Sequence, residues 1–485
     1  MLEFQENFFE QEVRNGFYID ETMKTLWAAE MEARQKVAEI CDRHGITWYA
    51  AYGTLLGAIR HEGFVPWDDD MDIWVKRKDY NRLLQILPKE LPKGYLVRGP
   101  QTEEGYGQLH TIVNSGNQIS IDKEWLEQYH GCPFSVPLDI FPLDYLPRDE
   151  KERSLQEKLF AVAANCAQIA KALGEDKSEE TEALKETKSA LKEIIMNGIQ
   201  DLEECCGAKI NRQLIIDEEW GKATSELFKW ANYFAMMYDE EESDYLVHYM
   251  DYSRHQWKKF PKECFAEVYG ATFENFVLPI PCGYDQVLRR IYKAYWVIRR
   301  KTGNHEYPYY KRQLRCLREV LHEKAMETGE AEPVALETLL SLEENTDLPL
   351  DWAERTKKAN GEQKKIVLFA NDISAFIKYG QRALDKLNCV LKAFEDVQDH
   401  LLLWWRPSRL MTDRLEKVSP ELAGQYRSIL CNYKESAWGI CDETNNIDRA
   451  VEWCDIYYGD RNAILQPFQN AGKPVMLAVI ENEQE

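Results

Sequence analysis

The stretch GFVPWDDDMDIWV, Gly63–Val75, places four aspartates among five residues and runs directly into apolar ones. Its last two acids, Asp70 and Asp72, bracket a single residue. On an extended chain both side chains leave the same face, about 7 Å apart at the backbone. Met71 and Ile73 then point the other way, so MDIWV reads as a strand with one face in a core. Carboxylates so placed repel each other. The arrangement becomes useful when a divalent cation sits between them, because Mg²⁺ prefers oxygen donors and takes one or two carboxylates together with substrate phosphates.

Other readings stand beside this one. An acidic run is also the ordinary composition of a solvated turn. Asp68, Asp70 and Asp72 imitate the first half of an EF-hand loop, but its sixth and twelfth positions here are Ile73 and Asp79, where Gly and Glu are needed. HEGFV at His61 lacks the second histidine of a zinc-protease helix.

Upstream, apolar residues spaced by three and four (Met23, Leu26, Trp27, Met31, Val37, Ile40, Cys41) predict a helix over residues 22–44, stopped by Gly45. ITWYAAY predicts a strand, GTLLGAIRHEG a turn leading into a short helix, and DYNRLLQIL a helix after MDIWV. Gly53-Thr54 closes the strand and opens the helix, where free backbone N–H groups and the positive dipole end suit a phosphate. Downstream, strands are expected around QLHTIVN and VPLDIF, the second ending at Pro142, since a strand accommodates proline at an edge or terminus. Asp139, between Leu138 and Ile140, is then an acid whose neighbours face a core. A third carboxylate there completes a metal site or takes a proton from an acceptor hydroxyl.

A chain of 485 residues is too long for one core and implies two or three domains. A net charge of −23 and a pI near 5.0 argue against nucleic acid as a partner, since nothing offsets repulsion by a phosphate backbone. The 12 cysteines form no Cys-x-x-Cys pair and read as reduced and mostly buried. MLEFQENFFEQEVRNGFYID carries acids where a signal peptide needs bases, and no apolar run approaches the roughly 20 residues that span a bilayer. A cytoplasmic location is expected.

From Asp149 to about Trp257 the chain becomes charged and helical, without evident strands, and reads as a helical insertion. FENFVLPIPCGYDQVLRRIYKAYW reads as a Pro- and Gly-marked loop before an amphipathic helix, and ETGEAEPVA, from Glu327, as a linker. A domain boundary is expected near residues 330–360. Beyond it KKIVLFA, LLLWW, WGI, DIYYG and PVMLAVI alternate with helical stretches, which predicts a parallel α/β sheet.

Gly-Thr, then Asp-x-Asp on the next strand, then a third acid between apolar residues is the arrangement of the nucleotidyltransferase fold. More narrowly, YGTLLGAIRHEGFVPWDDDMDI closely resembles the signature of the LicD/fukutin-type phosphotransferases, and LDIFPLD resembles their next block. The resemblance continues in VLPIPCGYDQVLRRIY and HEYPYYKRQ (His305–Gln313), covering about residues 25–315. It implies an α+β nucleotidyltransferase-like catalytic domain over residues 1–330, with the helical insertion at about 149–257. It also implies transfer of phosphocholine or a phosphopolyol from a CDP-linked donor to a hydroxyl of a cell-surface glycan. By resemblance, Asp70 and Asp72 ligate Mg²⁺, with Mn²⁺ as a substitute, and Asp139 is the third acid. Gly53 and Thr54 would lie against the donor phosphates. Arg60 and His61 match the family's basic pair, where a fixed positive group balances charge on the leaving nucleotide. His61 has a structural alternative, a helix-end histidine bonding backbone carbonyls. Asp69 could orient a metal-bound water and Asp68 cap the turn, while Trp67 reads as packing or a base stack. Where relatives commonly carry glycine after the tyrosine of the last helical block, this chain has Lys293. A lipid-linked glycan acceptor would bring peripheral membrane contact, with no help from the acidic balance. A nucleotidyltransferase acting on a small phosphorylated substrate, and a catalytically silent glycan-binding scaffold, are the rival readings.

Residues 360–485 resemble the nucleotide-binding half of glycerophosphotransferases and related glycosyltransferases through LLLWWRPSRL and DIYYGDRNAILQPFQNAGKPVML, implying a C-terminal α/β Rossmann-like domain. Ser408 and Arg461-Asn462 stand where that class often has a histidine and a serine pair. Arg406, Asp460 and Arg461 could bind an anionic sugar or nucleotide, and the alternative is a docking or acceptor-recognition domain. Trp404-Trp405 reads as core.

Overall fold

The apolar spacing before the acidic stretch forms helix α1 (Glu21–His44), which Gly45 closes at φ +60°. Behind it Gly45 N–H bonds Asp42 O and Ile46 N–H bonds Cys41 O, so the last carbonyls of the helix find donors. The computed structural model describes residues 1–300 except 101, 118 and 177–181, the isolated positions 313, 316, 317 and 320, and 346–478 except 409 and 445. ETGEAEPVA, and HEYPYYKRQ except Gln313, lie outside the described residues. Two units are distinguished, residues 1–5 with 26–304 and residues 6–25 with 305–485.

The second unit opens with a hairpin, β1 (Glu12–Arg14) and β2 (Phe17–Ile19). In the first unit, β3 (Trp48–Ala50), β4 (Asp72–Lys76), β5 (Leu96–Arg98), β6 (Thr111–Asn114) and β7 (Pro137–Pro147) build a mixed sheet of order β3-β4-β7-β6-β5. β8 (Ser243–Val247) and β9 (Phe260–Pro261) extend it from the far half of β7. β4 and β7 run parallel, whereas their other neighbours are antiparallel. Helix α2 (Tyr52–Arg60) links β3 to the acidic turn, and α3 (Arg77–Glu90) follows β4, burying Tyr80, Leu83 and Leu87 at helical spacing. The mixture of this sheet with its helices is α+β.

Three expectations are corrected here. Pro142 does not end its strand: β7 continues to Pro147, and Pro142 falls between the ladder with β6, which stops at Ile140, and that with β8, which starts at Asp144. On that side its missing N–H costs no ladder bond. The charged block is not strand-free, since SDYLV forms β8 against β7. FVLPIP is not a loop but β11 (Phe276–Pro281), paired with β10 (Val268–Phe273) in a separate two-stranded ladder where proline is tolerated.

After a short helix α4 (Lys123–Gln128), the block itself is built from α5 (Glu150–Glu175), α6 (Glu182–Cys206), α7 (Gln213–Ile216) and α8 (Trp220–Ala235). Ala163, Ala167 and Ala170 on α5 let Leu227, Phe228 and Ala231 of α8 approach closely. Helices α9 (Tyr249–Arg254) and α10 (Tyr284–Tyr292) complete the unit. Arg77 on α3 donates to both oxygens of the buried Asp144 on β7 and to Asn232 Oδ1 on α8, tying three elements together.

In the second unit β12 (Lys365–Ala370), β13 (Leu401–Arg406), β14 (Ile440–Cys441), β15 (Ile456–Gly459) and β16 (Val475–Leu477) form a parallel sheet of order β14-β13-β12-β15-β16. Successive side chains serve opposite faces: Trp405 joins a core with Phe369 and Tyr426, and Trp404 one with Ile366 and Tyr457. The cysteines are free, as read, but Cys205, Cys206, Cys316, Cys389 and Cys431 are exposed, so the expectation that most are buried fails. All five are helical, and a helical cysteine outside the apolar stripe faces water. Among the described residues no helix is long and apolar enough to cross a membrane.

Candidate active site

The turn from β3 into α2 sets the geometry. Tyr52 takes a positive φ of +36°, rare for a side chain of its size. Gly53 follows, and a Cβ there would lie 2.2 Å from Asp68 Oδ2, so only glycine lets that carboxylate reach the start of α2. Thr54 Oγ1 accepts a 2.8 Å bond from the Asp72 N–H in buried surroundings, while Ala51 N–H donates to Asp72 O at 3.0 Å. Gly53 and Thr54, read as phosphate contacts, therefore meet the aspartate segment itself.

Asp72 opens β4 and pairs in register with Asp139 on the parallel β7, whose N–H bonds Met71 O at 3.0 Å. In the turn before β4, carboxylate oxygens of Asp68, Asp69 and Asp70 lie within 4.8 Å of one another, with Asp69 fully buried. Asp72 and Asp139 stand outside that group. They remain electrostatically joined to it: burial, then Asp70, Asp139 and Asp68, hold the Asp72 carboxyl well above the usual carboxylate range.

Reading the sequence missed Glu30. On α1 it is fully buried, with both carboxylate oxygens lacking a hydrogen bond. Burial, followed by Asp69, Asp70, Asp68 and Asp72, raises its carboxyl well above the ordinary value. The signal available was an acid inside the apolar stripe of the helix, between Trp27 and Met31.

A second missed group flanks Asp139. His110 Nε2 lies 3.7 Å from Asp139 Oδ2, and its ring rests 4.6 Å from that of Phe141. Burial and the neighbouring His248 push His110 down to about 3, so it is neutral near pH 7. On the other side of Phe141, the Tyr52 hydroxyl donates to Asp251 Oδ2 at 2.8 Å and lies 3.0 Å from His248 Nδ1. His110 lay in a segment read only as a strand, and His248 and Asp251 lay in the block read as an insertion.

Arg60 is half-buried at the end of α2, donating Nε–H to His61 Nε2 at 2.8 Å and Nη1–H to Tyr295 O at 2.9 Å. His61 bonds through its backbone N–H to Gly57 O, the helix-end position of its structural alternative. Trp67 is buried, 6.2 Å from the His61 ring. Tyr292, which ends α10, keeps 38% of its surface exposed, yet desolvation of its hydroxyl and then the charges of Asp68, Asp72 and Asp70 raise that hydroxyl above the usual value. Lys293 then takes φ +58°, which accounts for the glycine common there in relatives: the position demands a left-handed backbone.

In the second unit Arg406 is spent within the fold, on Asp442 and on the carbonyls of Thr444 and Asn446. Asp460 Oδ2 accepts the Asp372 N–H at 2.8 Å. A cavity of about 1100 Å³ in the first unit, lined by Pro100, Lys222, Trp230 and Tyr233, includes none of the aspartates.

The donors gathered in the acidic turn and on β4 and β7 are carboxylate oxygens, which favour a hard divalent cation such as Mg²⁺ over metals that choose thiolates. The orphaned Glu30 and the raised Asp72 both mark an excess of negative charge that such a cation would neutralise. These residues fit the group.

Residues 45–151 match the family model described as LicD/FKTN/FKRP, nucleotidyltransferase domain. The chain is 25% identical over 260 residues to the lipopolysaccharide cholinephosphotransferase LicD of Haemophilus influenzae, covering 53% of this chain and 84% of that protein. Two uncharacterized proteins match shorter stretches: one of Rickettsia prowazekii is 44% identical over 59 residues and one of Rickettsia typhi 40% over 60. Those stretches cover 12% of this chain in each case, and 22% and 19% of the respective proteins.

Proposed function

From a chain that belongs to the LicD type and is a LicD-like transferase, we propose a finer reading: it moves phosphocholine or a phosphopolyol from a CDP-linked donor to a hydroxyl of a cell-surface glycan precursor. The observation that carries this is the register of Asp72 beside Asp139 on adjacent parallel strands, next to the Asp68–Asp70 turn. The Haemophilus relative is named for cholinephosphate transfer in the lipopolysaccharide context, which supports the kind of group moved.

Phosphoryl transfer is chiefly positioning and charge neutralisation, so no covalent nucleophile is required. Asp70, Asp72 and Asp139 would hold Mg²⁺, which would supply charge neutralisation for the donor diphosphate. Asp139 is partly exposed, and with neutral His110 3.7 Å from its Oδ2 it would be the group to take the acceptor hydroxyl's proton. Arg60, fixed by the Tyr295 carbonyl and the His61 ring, offers a stationary positive charge at the end of α2. The parallel order of the second unit's sheet is that of a doubly wound domain, which supports reading residues 360–485 as a Rossmann-like accessory domain to a nucleotidyltransferase-like part within 1–330. The reading places the enzyme in the cytoplasm, where CDP-linked donors are available.

The test is incubation with Mg²⁺ and CDP-choline, CDP-glycerol or CDP-ribitol across glycan acceptors, followed by measurement of CMP. Release of CMP from one donor is the expected result. Pyrophosphate released from CTP in its place would establish nucleotidyl transfer, and inertness toward every pair would favour the scaffold.

A further inference from the structure

We propose that residues 295–300, the turn that follows α10, are a docking surface for a lipid bilayer carrying anionic headgroups. Such docking is independent of which group the chain transfers.

Trp296, Val297 and Ile298 are 54%, 43% and 45% exposed, and among the described residues they are the one run of three large apolar side chains turned to water. Scattered apolar residues at a surface are ordinary, whereas adjoining ones leave a patch that marks a binding surface. The turn holds them out. Lys293 leaves α10 at φ +58°, the Tyr295 N–H bonds Lys293 O at 2.9 Å and the Val297 N–H bonds Ala294 O at 3.0 Å, so the chain bends tightly. Tyr295 is fixed at both ends: its carbonyl accepts from Arg60 Nη1 at 2.9 Å and its hydroxyl donates to Asp285 Oδ1 at 2.8 Å.

Charge gives the patch its partner. Between Tyr284 and Arg300 the sequence carries five bases, Arg289, Arg290, Lys293, Arg299 and Arg300, and one acid, Asp285, in a chain of net charge −23. Asp285 bonds Arg289 at 2.7 Å, and the Arg289 guanidinium lies 4.6 Å from the centre of the Trp296 ring, joining the basic helix to the apolar trio. Salt screens charges beyond about 8 Å at physiological ionic strength, so a surface meeting this turn is governed by its bases and not by distant acids.

A soluble polyanion would use the bases and gain nothing from valine and isoleucine. A glycan could stack on tryptophan, but Val297 and Ile298 offer its hydroxyls no hydrogen bond. A bilayer answers both halves: tryptophan favours the interface, aliphatic side chains enter the acyl boundary, and arginines meet anionic headgroups. Gly53, where α2 meets Asp68, and Arg60, which holds Tyr295, are seven residues apart on that helix, about 10 Å along its axis. Under the transfer reading above, a docked bilayer would present a lipid-linked hydroxyl near the aspartates.

Flotation of the full chain with vesicles tests this without donor or acceptor, so its outcome is separate from that of the transfer assay. Wild type should float with vesicles of phosphatidylglycerol and phosphatidylcholine in equal parts, stay behind with phosphatidylcholine alone, and be released by high salt. Trp296→Ala with Ile298→Ser and, separately, Arg299→Glu with Arg300→Glu should each lower partition at least about tenfold, with circular dichroism unchanged. Should the first pair fail to fold, Val297→Asp supplies the same comparison. Wild type that ignores the anionic vesicles, or flotation undiminished in either double variant, would overturn the proposal. Loss in the arginine variant alone would assign the turn to a soluble polyanion. A wild-type dimer in sedimentation equilibrium that Trp296→Ala with Ile298→Ser dissolves would assign it to a second copy, and overturn the bilayer as occupant.

Discussion

Thr54 Oγ1 accepts a 2.8 Å hydrogen bond from the N–H of Asp72, so the threonine of the glycine-threonine pair holds the first residue of β4. Replacing it by the isosteric valine strands a buried donor, and Thr54→Val should cost about 1–3 kcal/mol in denaturant unfolding. A variant as stable as wild type would contradict that account of the bond. Lys293 makes the opposite case: at φ +58° its side chain is strained, and Lys293→Gly should raise stability by about 1 kcal/mol, read from the same transition. At this scale the sequence was legible where chemistry and local spacing coincide. Asp72 and Asp139 stand between apolar neighbours that fix which way a strand faces, whereas Asp70, expected on the same strand face as Asp72, lies in the turn before β4. Glu30 reaches the turn only through the packing of α1, and Tyr52 meets His248 and Asp251 across 196 and 199 residues of sequence. No local pattern encodes such separations.

Among elements, the long strand β7 does most to position the site, because its first half carries Asp139 beside Asp72 and its second half receives β8. The Arg77–Asp144 pair locks that second half to α3 and, through Asn232, to α8. Removing one member leaves the other charge buried and unpaired, so Asp144→Ala should destabilise by about 3–5 kcal/mol in urea or thermal unfolding. A loss within the range of an exposed pair, below about 1 kcal/mol, would show that water reaches Arg77. Helices α1, α2 and α3 and strands β3, β4, β12 and β13 could be read from periodicity, since their patterns are long or strongly apolar. β8 could not, because SDYLV is short and sits among acids and is a strand only by virtue of its partner. Pro142 misled for a related reason: whether a proline breaks a strand depends on which side has a neighbour at that residue.

At the scale of the whole molecule, a chain with a net charge of −23 keeps a few of its acids inside: Glu30, Asp69 and Asp72 are buried, and their charges act together with those of half-buried Asp68 and Asp70. Alternation of strands and helices made the parallel sheet of the second unit legible, whereas the use of Arg406 as an internal anchor was not, because its partner Asp442 follows 36 residues later in a connecting segment. The central claim is that the crowded aspartates serve metal-dependent transfer from a CDP-linked donor. Its most direct test is CMP release in Mg²⁺ and in chelator by wild type and by Asp72→Asn, with folding checked by circular dichroism. The account predicts CMP only from wild type with Mg²⁺ present, the variant falling by at least about a hundredfold. Turnover by Asp72→Asn equal to wild type, or undiminished release in chelator, would contradict it.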